Sequence, residues 1–160
     1  ELKHKKIPYE ENVRIGCMIE VPSAALIADL LAAESQFLSI GTNDLVQYSL
    51  AVDRSDHTLS GYYTPSHPAV LRLIRMTVEA ADREGIPVSV CGEAAADREF
   101  VPLLLGLGVR ELSVAARYLR VIKEEIRSIK MSDARQLAKK ALSSSTAMEI
   151  DYLLETWKAR

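Results

Sequence analysis

From Arg14 onward, short apolar runs alternate with stretches of helical periodicity, and that alternation confines the chain to parallel α/β architecture. Ile15-Gly-Cys-Met-Ile-Glu20 reads as a buried strand, with Pro22 in the first turn of a helix whose apolar positions are Ala24, Ile27, Ala28 and Leu31. Phe37-Leu-Ser-Ile-Gly-Thr42 is a second strand, and Asn43-Asp44 opens a short helix through Leu50. A polar connection from Asp53 to Pro65, with Gly61, Tyr62 and Tyr63, is long enough to predict a lid or a partner contact. Ser66 is placed to cap the next helix, with His67 and Pro68 at its start. Its stripe is Val70, Ile74, Val78 and Ala81, and Gly85-Ile-Pro87 is its stop signal. Val88 to Gly92 reads as a third strand, Asp97 to about Gly106 as a helix, and Val109 to Val114 as a fourth strand. Ala115, Leu119, Ile122, Ile126 and Ile129 predict a strongly amphipathic helix opposite Arg120, Lys123, Glu124 and Arg127. Further helices are expected from Met131 to Leu142 and from Thr146 to Trp157.

The division that follows is a lead-in over 1–14, four βα units over 15–130 and terminal helices over 131–160. Four such units amount to about half of the ~250 residues of an eight-stranded β/α barrel. Half a barrel is one reading and an open doubly wound sheet the other, and both put functional groups at the carboxyl ends of the strands.

Composition narrows the classes. Among 160 residues, 20 Lys and Arg face 22 Asp and Glu with no basic run, which argues against a nucleic-acid partner. No apolar stretch approaches the ~20 residues of a membrane-spanning helix, and the opening Glu1-Leu-Lys-His-Lys-Lys6 leads into no signal core, so a cytoplasmic location is expected. The absence of an initial Met predicts a piece of a longer chain. Cys17 and Cys91 are too few for a disulfide framework, and His4, His57 and His67 are too scattered for zinc.

Three strand ends carry reactive groups: Glu20, Asp44 and Cys91. On neighbouring strands spaced ~4.8 Å apart the two carboxylates can converge on one hard cation, and Mg²⁺ suits one or two carboxylates completed by water and substrate oxygens. The alternative is that both cap helices, as acidic residues after strands often do. Cys17 lies mid-strand, out of phase with Glu20, and is expected to be a small buried hydrophobe. Cys91 at a strand end is placed to give or take a proton, although a single intracellular cysteine is usually structural. Arg54 offers a planar cation to a phosphate or carboxylate, or else is a solvated surface group. Tyr62, Tyr63 and Trp157 read as packing groups.

Together these runs carry a resemblance. Phe37-Leu-Ser-Ile-Gly-Thr-Asn-Asp-Leu-Val-Gln-Tyr48 resembles the signature of the phosphoenolpyruvate-utilising enzymes, a family that includes enzyme I of the bacterial sugar phosphotransferase system, pyruvate phosphate dikinase and phosphoenolpyruvate synthase. Continued as Ser49-Leu-Ala-Val-Asp-Arg54, and joined by Met18-Ile-Glu-Val-Pro22, Tyr63-Thr-Pro-Ser-His-Pro-Ala-Val70 and Val90-Cys-Gly-Glu93, it is more similar to the enzyme I branch than to the other two. The resemblance implies the carboxyl-terminal half of a β/α barrel, with the phosphorylatable histidine and the carrier-binding domain lying before Glu1. It implies that Glu20 and Asp44 ligate Mg²⁺, that Asn43, Asp44 and Arg54 bind phosphoenolpyruvate, and that Cys91 protonates the enolate. It further implies a homodimer, phosphoryl transfer by way of a histidine to the phosphocarrier protein HPr, and release of pyruvate, with this segment alone inactive. Ala94-Ala-Ala-Asp97 departs from the family, which often has Gly before the Asp. The rival readings are a dikinase or synthase relative and a non-catalytic module for dimerisation or regulation.

Overall fold

The computed structural model describes residues 1–56 and 58–158, so His57 lies outside the described residues. Four parallel strands, β1 (Cys17–Ile19), β2 (Leu38–Gly41), β3 (Val88–Cys91) and β4 (Glu111–Leu112), form one sheet in the order β1-β2-β3-β4. The strand order follows the chain order with no reversal. A doubly wound sheet has such a reversal at its ligand crevice, so the order is consistent with a partial barrel.

Between the strands run α1 (Pro22–Leu26), α2 (Ala28–Ala33), α3 (Thr42–Leu50), α4 (Pro68–Glu84), α5 (Glu93–Ala96) and α6 (Val101–Leu107). Beyond β4 come α7 (Leu119–Ser128), α8 (Met131–Ser143) and α9 (Ala147–Lys158). Among the described residues, no helix is long and apolar enough to cross a membrane.

Strand alternation separates two faces. Ile19, Leu38, Ile40, Val88 and Val90 are all buried against the helices. The register aligns Met18, Ser39, Ser89 and Glu111 as a row on the other face. There Met18 is 46% exposed and the Ser89 hydroxyl donates to Ser39 Oγ at 3.1 Å. Parallel sheets are normally covered on both faces, so this partly exposed face, which carries Met18 beside three polar residues, sets the chain apart from a complete α/β layer structure.

α4 anchors the covered face. Val70, Ile74, Val78 and Ala81 are fully buried, as their spacing predicts, and the helix ends where Gly85 turns left-handed at φ 66°. Its cap differs from expectation: His67, not Ser66, is the N-cap, with Nδ1 accepting from the Ala69 amide at 3.2 Å. Ser66 is drawn away to Asp151 Oδ1, 2.5 Å from its hydroxyl.

Other departures have similar tertiary causes. The first helix is two, α1 and α2, broken at Ile27: Ala25, Ala28 and Ala32 are fully buried, Ala24 and Leu31 pack against the core partly buried, and of the expected stripe Ile27 alone is exposed. Small side chains let these short helices lie close to α4. The helix expected from Asp97 starts later, at Val101, and a separate short helix, α5, precedes it one residue beyond the end of β3. α6 and α8 approach so closely that a Cβ on Gly106 would meet the Ala134 carbonyl oxygen at 2.0 Å. In α7 only Ile122 is buried, whereas Leu119 and Ile126 are 54% and 38% exposed, so its apolar stripe lacks full cover.

Candidate active site at the strand ends

The site begins with Gly41, the last residue of β2, paired with Cys91, the last residue of β3. Glu20 directly follows β1, and its side chain crosses Gly41: a Cβ there would lie 2.9 Å from Glu20 Cβ and 3.0 Å from Oε2. Lacking a side chain, Gly41 leaves room for the carboxylate on the open face, in the strand row that also contains Cys91. The Cys91 thiol donates to the Ile40 carbonyl oxygen at 3.5 Å. Cys17, by contrast, packs against the hydrophobic core but is only partly buried, not the fully buried side chain expected.

β2 passes directly into α3, whose first turn holds Thr42, Asn43 and Asp44. No side-chain hydrogen bond caps α1 or α3, so neither Glu20 nor Asp44 is an N-cap, although Asp44 does lie in the first turn of α3, where the helix N-terminus favours a negative charge. Both are partly buried, and neither carboxylate joins a hydrogen bond or ion pair that the structure describes among its residues. Asn43 Oδ1 accepts from the Glu93 amide at 2.9 Å. That commits the oxygen end of the carboxamide to the protein and leaves its NH₂ end, a donor pair, for an anionic ligand. Asn43 thereby caps α5, since Gly92, the residue preceding that helix, has no side chain to do so.

Arg54 is exposed, and its backbone amide donates to Gln47 Oε1 at 3.2 Å. It nevertheless belongs to the same end of the sheet. Tyr63, which packs against the core and donates from its hydroxyl to the Asn43 carbonyl oxygen at 3.0 Å, feels Glu93, Arg54 and Asp44 together. Burial and then the Glu93 charge push its phenol above the ordinary value, Arg54 pulls it back, and Asp44 adds to the rise. Tyr63 is thus more than the packing group expected, while Tyr62 is 70% exposed and packs little.

A cleft of about 480 Å³ opens beside Asn43, lined also by Gly92, Glu93, Ser113, Arg117 and Tyr118. A larger cavity of about 630 Å³ between α8 and α9 is lined by Lys139, Lys140 and Tyr152, and it contains none of the strand-end groups. The site is therefore assigned by chemistry, not by size. Thr42, Gly92, Tyr63 and Arg117 were not singled out as site residues from sequence. The one local signal for the first two is that they adjoin Asn43 and Cys91.

Among the described residues, no cluster of three or more His, Cys, Asp or Glu side chains forms a complete metal cage. Mg²⁺ does not require one, because it is commonly held by one or two carboxylates plus substrate oxygens and water. The two unpaired, half-buried carboxylates Glu20 and Asp44 fit that donor set.

Residues 1–131 match the family described as PEP-utilising enzyme, PEP-binding domain, and the chain belongs to that family. It is 46% identical over 155 residues to the phosphoenolpyruvate-protein phosphotransferase of Haemophilus influenzae, an alignment covering 97% of this chain and 27% of that protein. To the proteins of the same name from Buchnera aphidicola and Listeria monocytogenes it is 44% and 42% identical, over 98% and 99% of this chain and 28% of each relative. The chain therefore spans little more than a quarter of the length of the curated relatives it matches.

Proposed function

We propose that residues 1–160 form the carboxyl-terminal part of the phosphoenolpyruvate-binding β/α barrel of an enzyme I. In this division 1–14 lead in, 15–130 supply four βα units and 131–160 add terminal helices. The whole enzyme takes the phosphoryl group of phosphoenolpyruvate onto a histidine, passes it to HPr and releases pyruvate in the cytoplasm. The unreversed strand order and the partly exposed second sheet face support the half-barrel. The observation that carries the function is the convergence at the strand ends of Glu20, Asn43 and Cys91 across three adjacent strands.

The roles follow from chemistry. Phosphoryl transfer depends mostly on positioning and charge neutralisation. Asn43 donates from its free NH₂ to phosphate oxygens, and Arg54 supplies a planar cation for the same group. Glu20 and Asp44 would hold Mg²⁺, which when bound neutralises charge on substrate oxygens. After the phosphoryl group has left, the Cys91 thiol gives its proton to the methylene carbon of pyruvate enolate. The enolate C=C electron pair forms the new C–H bond and sulfur is left as thiolate, to be reprotonated from solvent.

The test is a chimera in which this chain replaces the matching segment of the Haemophilus influenzae relative. Cys91→Ala should cut pyruvate formation while Mg²⁺ and phosphoenolpyruvate binding stay nearly intact. Glu20→Ala and Asp44→Ala should weaken binding itself in calorimetric titration. The isolated chain should not turn over phosphoenolpyruvate, since losing even one preorganised electrostatic contact can cost ~100-fold. Robust turnover by the isolated chain, or full steady-state activity of the Cys91 variant, would show the assignment to be wrong.

A further inference from the structure

The turn that carries Cys91 is held from outside at two points. Cys91 ends β3, and the next residue, Gly92, is left-handed at φ 94°. On one side of Gly92, the Thr42 hydroxyl donates to the Cys91 carbonyl oxygen at 2.6 Å. On the other, the Glu93 amide donates to Asn43 Oδ1 at 2.9 Å. Both partners are consecutive residues in the first turn of α3, 49 and 50 positions away in the chain. Thr42 is 1% exposed, so its hydroxyl is a fully buried polar group with this partner. The fit leaves no space for a side chain between the two bonds. A Cβ on Gly92 would lie 2.4 Å from Thr42 Oγ1 and 2.7 Å from Asn43 Oδ1.

We propose that Thr42, together with the Asn43 carboxamide, is a positioning residue for Cys91, clamping the Cys91-Gly92-Glu93 turn so that the thiol and the Asn43–Asp44 segment form one rigid unit. The inference rests on the proposed role of Cys91. The parallel ladder between β2 and β3 ends at the Gly41–Cys91 pair, and a strand end followed by a left-handed glycine has little of its own to resist fraying. A proton donor out of place by about 1 Å can lose ~100-fold in rate. The clamp supplies that precision, and it joins the group acting last, the thiol, to the groups that bind first.

Three measurements test the clamp. In this chain, the rate of Cys91 alkylation by iodoacetamide, read by mass spectrometry with Cys17 as internal reference, should rise about fivefold in Thr42→Val and Thr42→Ala, the effect of one hydrogen bond on a local opening equilibrium. Thr42→Ser keeps the hydroxyl and should remain near the native rate; an unchanged rate in a folded Thr42→Val or Thr42→Ala protein overturns the proposal. In the unsubstituted chain the Glu93 amide, at a helix start where amides ordinarily exchange freely, should show protection in hydrogen exchange, and unprotected exchange overturns it even if neither variant folds. In the chimera, Thr42→Val should lower kcat for pyruvate release about tenfold with KM for phosphoenolpyruvate little changed, and Thr42→Ser should restore it. Equal loss in both variants would mean a merely structural role and overturn the proposal. Full activity of Cys91→Ala in the same chimera would instead remove the donor role on which the inference rests and overturn the positioning role with it, whereas loss of activity there with unchanged alkylation in the Thr42 variants would overturn the clamp alone.

Discussion

Replacing Gly92 by Ala should be among the costliest single-methyl additions to this chain, and three glycines let the reasons be separated. Gly61 has neither a left-handed φ nor any heavy atom within 4 Å of where a Cβ would sit. Its alanine variant should stay within about 0.5 kcal/mol of the native protein. Gly85 is left-handed at φ 66° but faces open space, so Gly85→Ala meets backbone strain alone, about 1–2 kcal/mol. Gly92 combines a φ of 94° with collisions at 2.4 and 2.7 Å. Relieving them breaks the bonds from Thr42 and to Asn43, each contributing about 0.5–1.5 kcal/mol. Strain and lost bonds sum to about 2–5 kcal/mol, a large part of the ~5–15 kcal/mol stability of a typical domain. Equilibrium urea unfolding followed by far-ultraviolet circular dichroism, with the three variants compared at a common m-value, measures the series. If Gly92→Ala proves no less stable than Gly85→Ala, the turn is not packed against α3 as described, and the clamp argument fails with it.

Other outcomes follow from separate contacts. Asp151→Ala should destabilise the chain by about 1–2 kcal/mol, because it removes the acceptor through which α9 holds Ser66, a residue only 3% exposed; thermal unfolding of Asp151→Ala and Asp151→Asn checks this. Tyr63 has its phenol raised above 10.0 in the folded chain by burial and the Glu93 charge. Above that pH the unfolded chain binds fewer protons than the folded one, so stability from this group is whole below 10.0 and falls as pH rises toward the folded value. Tyr63→Phe should flatten this alkaline decline in urea midpoints, and an unaltered slope would contradict it. β1 and β4 end the sheet, and Ile15 is 74% exposed beside the β1 edge. The isolated chain should therefore self-associate, with a dimer the first closed form, and a dilution series in size-exclusion chromatography with light scattering that shows only monomer would refute this.

What could be read without tertiary information is what depends on neighbours along the chain. Helical spacing found the buried stripe of α4 at Val70, Ile74, Val78 and Ala81, and Gly85 marked its left-handed end. Period-two burial gave the strand cores, though with frayed ends: the run Ile15 to Glu20 pairs only over Cys17–Ile19, and the fourth strand shrinks to Glu111–Leu112. The runs around Glu20, Asn43 and Cys91 carry the family resemblance in the sequence itself, because each is a contiguous motif.

The folded chain decided everything that depends on which distant segment arrives. Periodicity cannot say whether a stripe finds a partner, and so the best-patterned helix, α7, buries only Ile122. It cannot choose between two adjacent cap candidates: His67 caps α4, while the Ser66 hydroxyl donates to Asp151 on α9. Nor can it show that Thr42 and Asn43 grip the turn after β3. That grip exists because parallel pairing sets Gly41 beside Cys91 and brings together groups separated by some fifty residues. Sequence fixes which bonds a side chain is able to make, and the register of the sheet selects the ones it does make.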